Sequence, residues 1–135
     1  MSSDMARIRR WRRRGFYSER TLVRQLQDKG FSAVRVPVSN PSMSPLPDVI
    51  GHRNSHVYAF EVKNARKYAY YPKDQIEKLF RFLEDFIPIP RPFKHAVLAA
   101  HLGKKWIFRQ VPWKTRDKLA DKERVMKGDR GNWRP

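Results

Sequence analysis

The chain contains no cysteine. Disulfides, cysteine-ligated zinc and thiol catalysis are excluded, and an intracellular setting, the cytoplasm or nucleoid of a host cell, is expected. Glycine is scarce: six residues, never spaced Gly-x-Gly. No glycine-rich phosphate loop can be built, and no small-molecule cofactor is expected. Long apolar runs are missing as well. Nothing approaches the roughly 20 residues that span a bilayer, and the basic start lacks the roughly 7–15-residue apolar stretch of a secretory signal. Acidic residues are few, 13 against 30 Lys and Arg, for a formal net charge of +17 over 135 residues. That surplus requires a polyanionic partner, and with membranes disfavoured the partner is nucleic acid.

The positive charge is not confined to the ends. Residues 1–14 hold six Arg against one Asp, and 112–135 hold eight basic against four acidic residues. The middle, 15–111, still holds sixteen basic against eight acidic, so the folded body carries a basic surface. The length allows one domain with a real core but not two. No repeat is visible. The histidines, His52, His56, His95 and His101, show no metal-ligand spacing and read as surface or strand-end residues.

Against this background one motif stands out: Pro47-Asp48, then Glu61-Val62-Lys63. Two carboxylates are hard oxygen ligands for Mg²⁺, and a lysine beside them can sit near an attacking water or a phosphate. His56–Lys63 reads as a strand, with Asn54-Ser55 as the turn before it. Alternation puts Val57, Ala59, Glu61 and Lys63 on one face and Tyr58, Phe60 and Val62 on the other. Asp48 opens a short apolar run to Gly51, and an antiparallel pairing of the two segments brings Asp48 opposite Glu61. The backbone carbonyl of Val62 is available as a further metal ligand. The bland alternative is a weak surface ion pair.

Elsewhere the pattern predicts a helix from Tyr17 or Ser18 to Lys29, with Ser18 as its N-cap, Gly30 as its stop and Leu22, Val23 and Leu26 as its apolar stripe. Glu19 falls on that stripe, either as a helix-start carboxylate or as a third acid facing the site. A strand is expected over Phe31–Val38, followed by a Pro- and Ser-rich loop, Ser39–Pro47, bordering the motif. Asn64–Pro72 reads as a basic, aromatic loop whose tyrosines either stack on DNA bases or make a subunit contact. A second helix runs from Lys73 to Phe86 or Ile87, with Ile76, Leu79, Phe80, Leu83, Phe86 and Ile87 as its stripe and Gln75 beside the site. Two more strands are expected near His95–His101 and Trp106–Val111. In Arg7–Arg14, six arginines in eight residues should stay mobile until they meet phosphate, with Trp11 available to stack on a base. The stretch after Pro112 has at most a short helix, and its end lacks periodicity.

This order, helix, three strands, helix, two strands, with Asp and Glu-x-Lys on the central hairpin, resembles the PD-(D/E)xK nucleases. The expected fold is α/β with a restriction-endonuclease-like core, a central mixed β-sheet of about five strands flanked by helices. More specifically, Glu19-Arg20, Leu22-Val23, Lys29-Gly30-Phe31, Ala33–Pro37, Ser39, Pro47–Ile50, Glu61–Lys63 and Lys73-Asp74-Gln75 are similar to archaeal-type Holliday junction resolvases of cells and archaeal viruses. Coverage is roughly 15–111. The basic ends are longer and more charged than the resemblance leads one to expect.

The resemblance implies a homodimer that binds branched DNA and resolves four-way junctions by paired cuts with Mg²⁺ or Mn²⁺, in recombination and repair. Glu19, Asp48 and Glu61 would hold the metal with the Val62 carbonyl. Lys63 would stand near the attacking water, and Ser39 would act from the loop. Arg20 and Arg35 would bind phosphate. Arg7, Arg9, Arg10, Arg12, Arg13, Arg14, Lys67 and Gln75 complete the expected DNA contacts. The corresponding layout is a basic arm, 1–14, a nuclease domain, 15–115, and a basic, partly disordered tail, 116–135. Another nuclease or nickase of the superfamily, or a non-catalytic DNA-binding protein, is the competing reading.

Overall fold

The structure, a computed structural model, describes the backbone of residues 2–37 and 45–135, and the side chains of these except 2–4, 8 and 10–15. A five-stranded mixed sheet runs β1 (Ser32–Arg35), β2 (Val49–Arg53), β3 (His56–Ala65), β5 (Lys94–Leu102), β6 (Lys105–Val111) in spatial order. Only the β3–β5 pairing is parallel. The crossover between those two strands contains β4 (Tyr68–Pro72) and α2 (Lys73–Phe86).

Strand alternation divides the core into two layers. Ala59, Ala96, Leu98, Ala100 and Leu102 face α2, meeting Ile76, Leu79, Phe80 and Leu83. Phe60, Val97 and Ala99 face the other way, meeting Leu22 and Leu26 of α1 (Ser2–Asp28). The stripe expected on α2 is thus buried except at its end, where Phe86 is exposed, and Phe82 is buried in its place. The end of α2 is finished by a buried lysine: Lys94 Nζ donates to the carbonyls of Leu83 and Ile87, both at 2.9 Å. Carbonyls at a helix end are short of intrahelical donors, so a cation there serves both hydrogen bonding and the helix dipole.

Three expectations are corrected. The first helix does not begin near Ser18; α1 is continuous from Ser2. Arginine is a good helix former, and a single Gly15 does not outweigh the run. Ser18 is therefore inside the helix rather than capping it. The helix does stop at Gly30, whose φ of +87° closes it with the Phe31 N–H bonded to the Leu26 carbonyl and the Gly30 N–H to that of Gln27. Second, Asn64–Pro72 is not simply a loop. Its second half is β4, which pairs antiparallel with β7 (Lys122–Met126). Tyr71 is buried there, its hydroxyl donating to the Ala99 carbonyl at 2.7 Å. Third, the C-terminal residues are ordered against the body. Besides β7, Asn132 donates to and accepts from the backbone of Gln110 on the free edge of β6, and Trp133 packs on Phe31, Tyr58, Phe60 and Phe108.

Candidate active site

The site is assembled by the β2–β3 hairpin. Its turn, Asn54-Ser55, has φ of 53° and 67°, the left-handed pair that matches strand twist in a two-residue hairpin. That turn fixes the register, pairing Val49 with Phe60 as the last β2–β3 partners. Asp48 then lies one residue past the strand, its N–H bonded to the Phe60 carbonyl at 3.0 Å. Its side chain takes the place of a missing strand residue: Oδ2 accepts the Val62 N–H at 2.8 Å. Within a strand a residue's N–H and C=O leave from the same edge. The Val62 carbonyl therefore also emerges on the Asp48 side, where β2 has ended.

Glu61 lies on the α2 face with its side chain almost wholly buried, and its Oε2 has no hydrogen-bond partner. Lys78 Nζ of α2 stands 3.6 Å from that oxygen, close enough for attraction but too long for a good hydrogen bond. Burial, then the charge of Asp48, push the Glu61 carboxyl up to about 8, against the pull of Lys78 and Lys63. Burial also raises Asp48, opposed first by the Val62 hydrogen bond and then by the two lysines. These carboxylates stand in a low-dielectric pocket with more negative charge than the surrounding cations relieve. Gln75, one helical turn before Lys78, is half-buried and presents a buried Oε1 without a partner.

Glu19 arrives from the opposite layer, on α1. Its Oε2 accepts a 2.6 Å charged hydrogen bond from Arg35 Nε. Burial raises its carboxyl, the Arg35 bond opposes this, and Asp48 adds a further upward push, so the two acids sense each other. Arg35, expected on phosphate, is thus engaged with Glu19 and lies 4.3 Å from the ring centroid of Phe16. Among the described residues, no three His, Cys, Asp or Glu side chains stand close enough to hold a metal together. Asp48 and Glu61 form the close pair, flanked by Lys63; Glu19 is set apart by its arginine.

Of the other expected residues, Arg7, Arg9, Arg20 and Lys67 are exposed. Ser39 lies outside the described residues, as do the side chains of Arg10, Arg12, Arg13 and Arg14 and that of Trp11. Lys78 is absent from the expected set, though it is three residues after Gln75 and therefore on the same helix face. His101, expected as a surface or strand-end residue, is at a strand end, next to the last residue of β5, but not at the surface. It is buried, bonded to Ser18 Oγ at 2.8 Å and stacked on Trp106 at 4.2 Å between centroids. Asn64 donates to the same Ser18 oxygen at 2.6 Å.

The family described as archaeal Holliday junction resolvase (Hjc) matches residues 10–127. A crossover junction endodeoxyribonuclease Hje of Sulfolobus acidocaldarius is 42% identical over 73 residues, covering 53% of this chain and 52% of that protein. A crossover junction endodeoxyribonuclease of Sulfolobus islandicus rod-shaped virus 1 is 41% identical over 76 residues, covering 56% and 63%. The match therefore spans between half and two thirds of these relatives' length. Hjc of Archaeoglobus fulgidus is 33% identical over 100 residues, covering 73% of this chain and 69% of that one. The solved structure of an Archaeoglobus fulgidus Hjc superposes with a TM-score of 0.64 at 26% identity, covering 84% of this chain and 88% of that one. With the family match running over most of its residues, this chain belongs to the archaeal Holliday junction resolvase (Hjc) family.

Proposed function

We propose that the protein is a metal-dependent endonuclease that resolves four-way DNA junctions as a homodimer inside its host cell. The observation that carries this reading is buried Glu61 of β3 beside half-buried Asp48 just before β2, flanked by Lys63 and Lys78. Family membership supports the substrate.

The donor set fits Mg²⁺ or Mn²⁺. Buried Glu61 and half-buried Asp48 repel one another, one Glu61 oxygen is orphaned, and the Val62 carbonyl leaves the strand edge that Asp48 borders. A hard dication is the species that such oxygens favour. Asp48, Glu61 and the Val62 carbonyl would hold it, with Glu19 joining if it leaves Arg35. When bound, the ion would polarise the scissile phosphate and make a coordinated water more acidic.

The protein's own groups supply the rest. The Val62 N–H fixes the Asp48 carboxylate. Lys78 partly compensates Glu61, leaving Lys63 to stand near the attacking water and stabilise charge developing on the phosphate. Gln75 offers an unpaired carbonyl oxygen to that water. Ser39 would act from the adjoining loop. Arg7, Arg9, Arg20 and Lys67 would take phosphates along the arms, with Arg35 when released from Glu19, so affinity should fall steeply with salt. A two-fold dimer would present two sites to a substrate of approximate two-fold symmetry.

The test uses Mg²⁺ with labelled junction, linear duplex and flap DNA, for wild type and Asp48→Ala. Paired symmetric cuts confined to the junction, lost in Asp48→Ala with binding retained, are expected. Equal cutting of linear duplex would point instead to a general nuclease. Junction binding without cleavage under any divalent metal would sink the enzymatic reading.

A further inference from the structure

The β4–β7 ribbon has an inner and an outer face. Ala69, Tyr71 and Val125 point inward and are buried. The outer face carries Tyr68, Tyr70 and Met126, exposed by 44%, 39% and 42%, together with exposed Lys122 and Arg124. Register sets these side by side: Tyr68 opposite Met126, and Tyr70 opposite Arg124. The two tyrosine rings meet edge to face at 4.9 Å, and Lys122 Nζ lies 5.0 Å from the Tyr70 centroid. Neither Lys122 nor Arg124 has an acidic partner within ion-pair distance among the described residues. The adjacent acid, Glu123, alternates away from this face and pairs with Arg109 at 3.4 Å.

Exposed aromatic area grouped in this way marks a surface that something covers. The ribbon also adjoins the proposed site: inner-face Tyr71 bonds to the Ala99 carbonyl, and Ala99 pairs with Val62 of β3, next to Glu61. We propose that the outer face of the β4–β7 ribbon is a DNA-contact surface, where Tyr68 and Tyr70 stack on unstacked bases at the branch and Lys122 and Arg124 take the neighbouring phosphates. Base stacking on aromatic rings suits any base, and it needs bases freed from the duplex, as at a branch. A second copy of this chain fits worse. A two-fold contact would set the Lys122 and Arg124 of one protomer against the same pair of the other, with no acidic group on that face between them. The choice of branched DNA rests on the function proposed above.

The test measures binding in EDTA, where cutting plays no part, to a junction, a single-stranded oligonucleotide and a linear duplex. For Tyr68→Ala/Tyr70→Ala, junction and single-strand affinity should fall about ten- to hundredfold, with duplex binding within about threefold. Tyr68→Phe/Tyr70→Phe should keep wild-type affinity, because the rings remain. Lys122→Ala/Arg124→Ala should flatten the log–log salt slope by about two. Unchanged affinity and salt slope in both alanine pairs would overturn the proposal. So would a shift from dimer to monomer in sedimentation of the tyrosine pair, with DNA affinity lost only in proportion. If wild type shows no preference for junctions yet binds single strands in a Tyr68- and Tyr70-dependent way, the ribbon surface stands and the resolvase reading falls. Should the alanine pair melt early, the phenylalanine and Lys122/Arg124 variants decide alone.

Discussion

Phe60 and Glu61 are neighbours on β3 and are almost equally buried, at 0% and 4% exposure, yet they face opposite sides of the sheet. Phe60 points into the α1 layer, where Val49, Val97 and Phe108 pack and Trp133 covers it edge to face at 5.6 Å. Glu61 points into the α2 layer beside another carboxylate, with one oxygen unbonded. The same degree of burial stabilises the first residue and destabilises the second. The difference is local: both faces of β3 pack apolar side chains, but beside Ala59 the α2 face also accommodates a carboxyl that folding alone would reject.

The largest effects should come from exchanging these roles. Phe60→Ala leaves a cavity in the α1 layer and should cost about 3–5 kcal/mol of stability, read from denaturant unfolding. Glu61→Gln should abolish cleavage, by about a thousandfold or more, while leaving stability the same or higher. A Glu61→Gln protein that is markedly less stable than wild type would break the comparison, because it would make Glu61 a structural residue.

A second, smaller effect follows from pH. In metal-free protein Glu61 holds its proton up to about pH 8, whereas in the unfolded chain it ionises near the ordinary value of 4.5. Between those values the folded state binds more protons than the unfolded, so stability falls as pH rises from about 4.5 to about 8. Asp48, raised in the same direction, adds to that slope. The loss should be on the order of 1–3 kcal/mol across that window, seen as a falling melting temperature. Saturating Mg²⁺ should reverse it at the alkaline end, since a ligand that binds only the folded state stabilises it. Glu61→Gln should remove most of the slope and most of the Mg²⁺ effect together. A flat pH profile in wild type would show that solvent or Lys78 already compensates the pair.

The proposed site on the β2–β3 hairpin is more legible in the sequence than the packing around it, for physical reasons. Asp48, Glu61 and Lys63 sit on a hairpin whose alternation and turn are local, so spacing alone aligned them. The α2 stripe is likewise local. By contrast, β7 shows only one buried position, Val125, among charged residues, so no period-two signal exists until β4 is known to be its partner. Tyr71 looked like its exposed neighbours because the pairing that turns it inward comes from more than 50 residues away. His101 sits between two buried residues of β5, and its partners, Ser18 and Asn64, come from α1 and β3. Lys78 could have been found from helical phase, being one turn beyond Gln75. Trp133 could not, because nothing near it in sequence is periodic.

The smallest expected effect probes that last residue and sharpens the contrast between the faces. The family match ends at residue 127, and the segment beyond it closes the α1 layer. Its close approach occurs at Gly131, where an added Cβ would meet the Phe108 carbonyl oxygen at 2.4 Å, a backbone atom that cannot swing aside. Gly131→Ala must therefore lift the segment, weakening the Asn132 bonds to Gln110 and moving Trp133 off Phe60. About 1–2 kcal/mol of stability should be lost, the scale of a few partner bonds and part of one aromatic contact. Tryptophan fluorescence should report the exposure of Trp133, and cleavage at a temperature well below melting should be unchanged. If cleavage instead fell in step with the fluorescence change, the two faces of β3 would be coupled, with the Phe60 side helping to position Glu61.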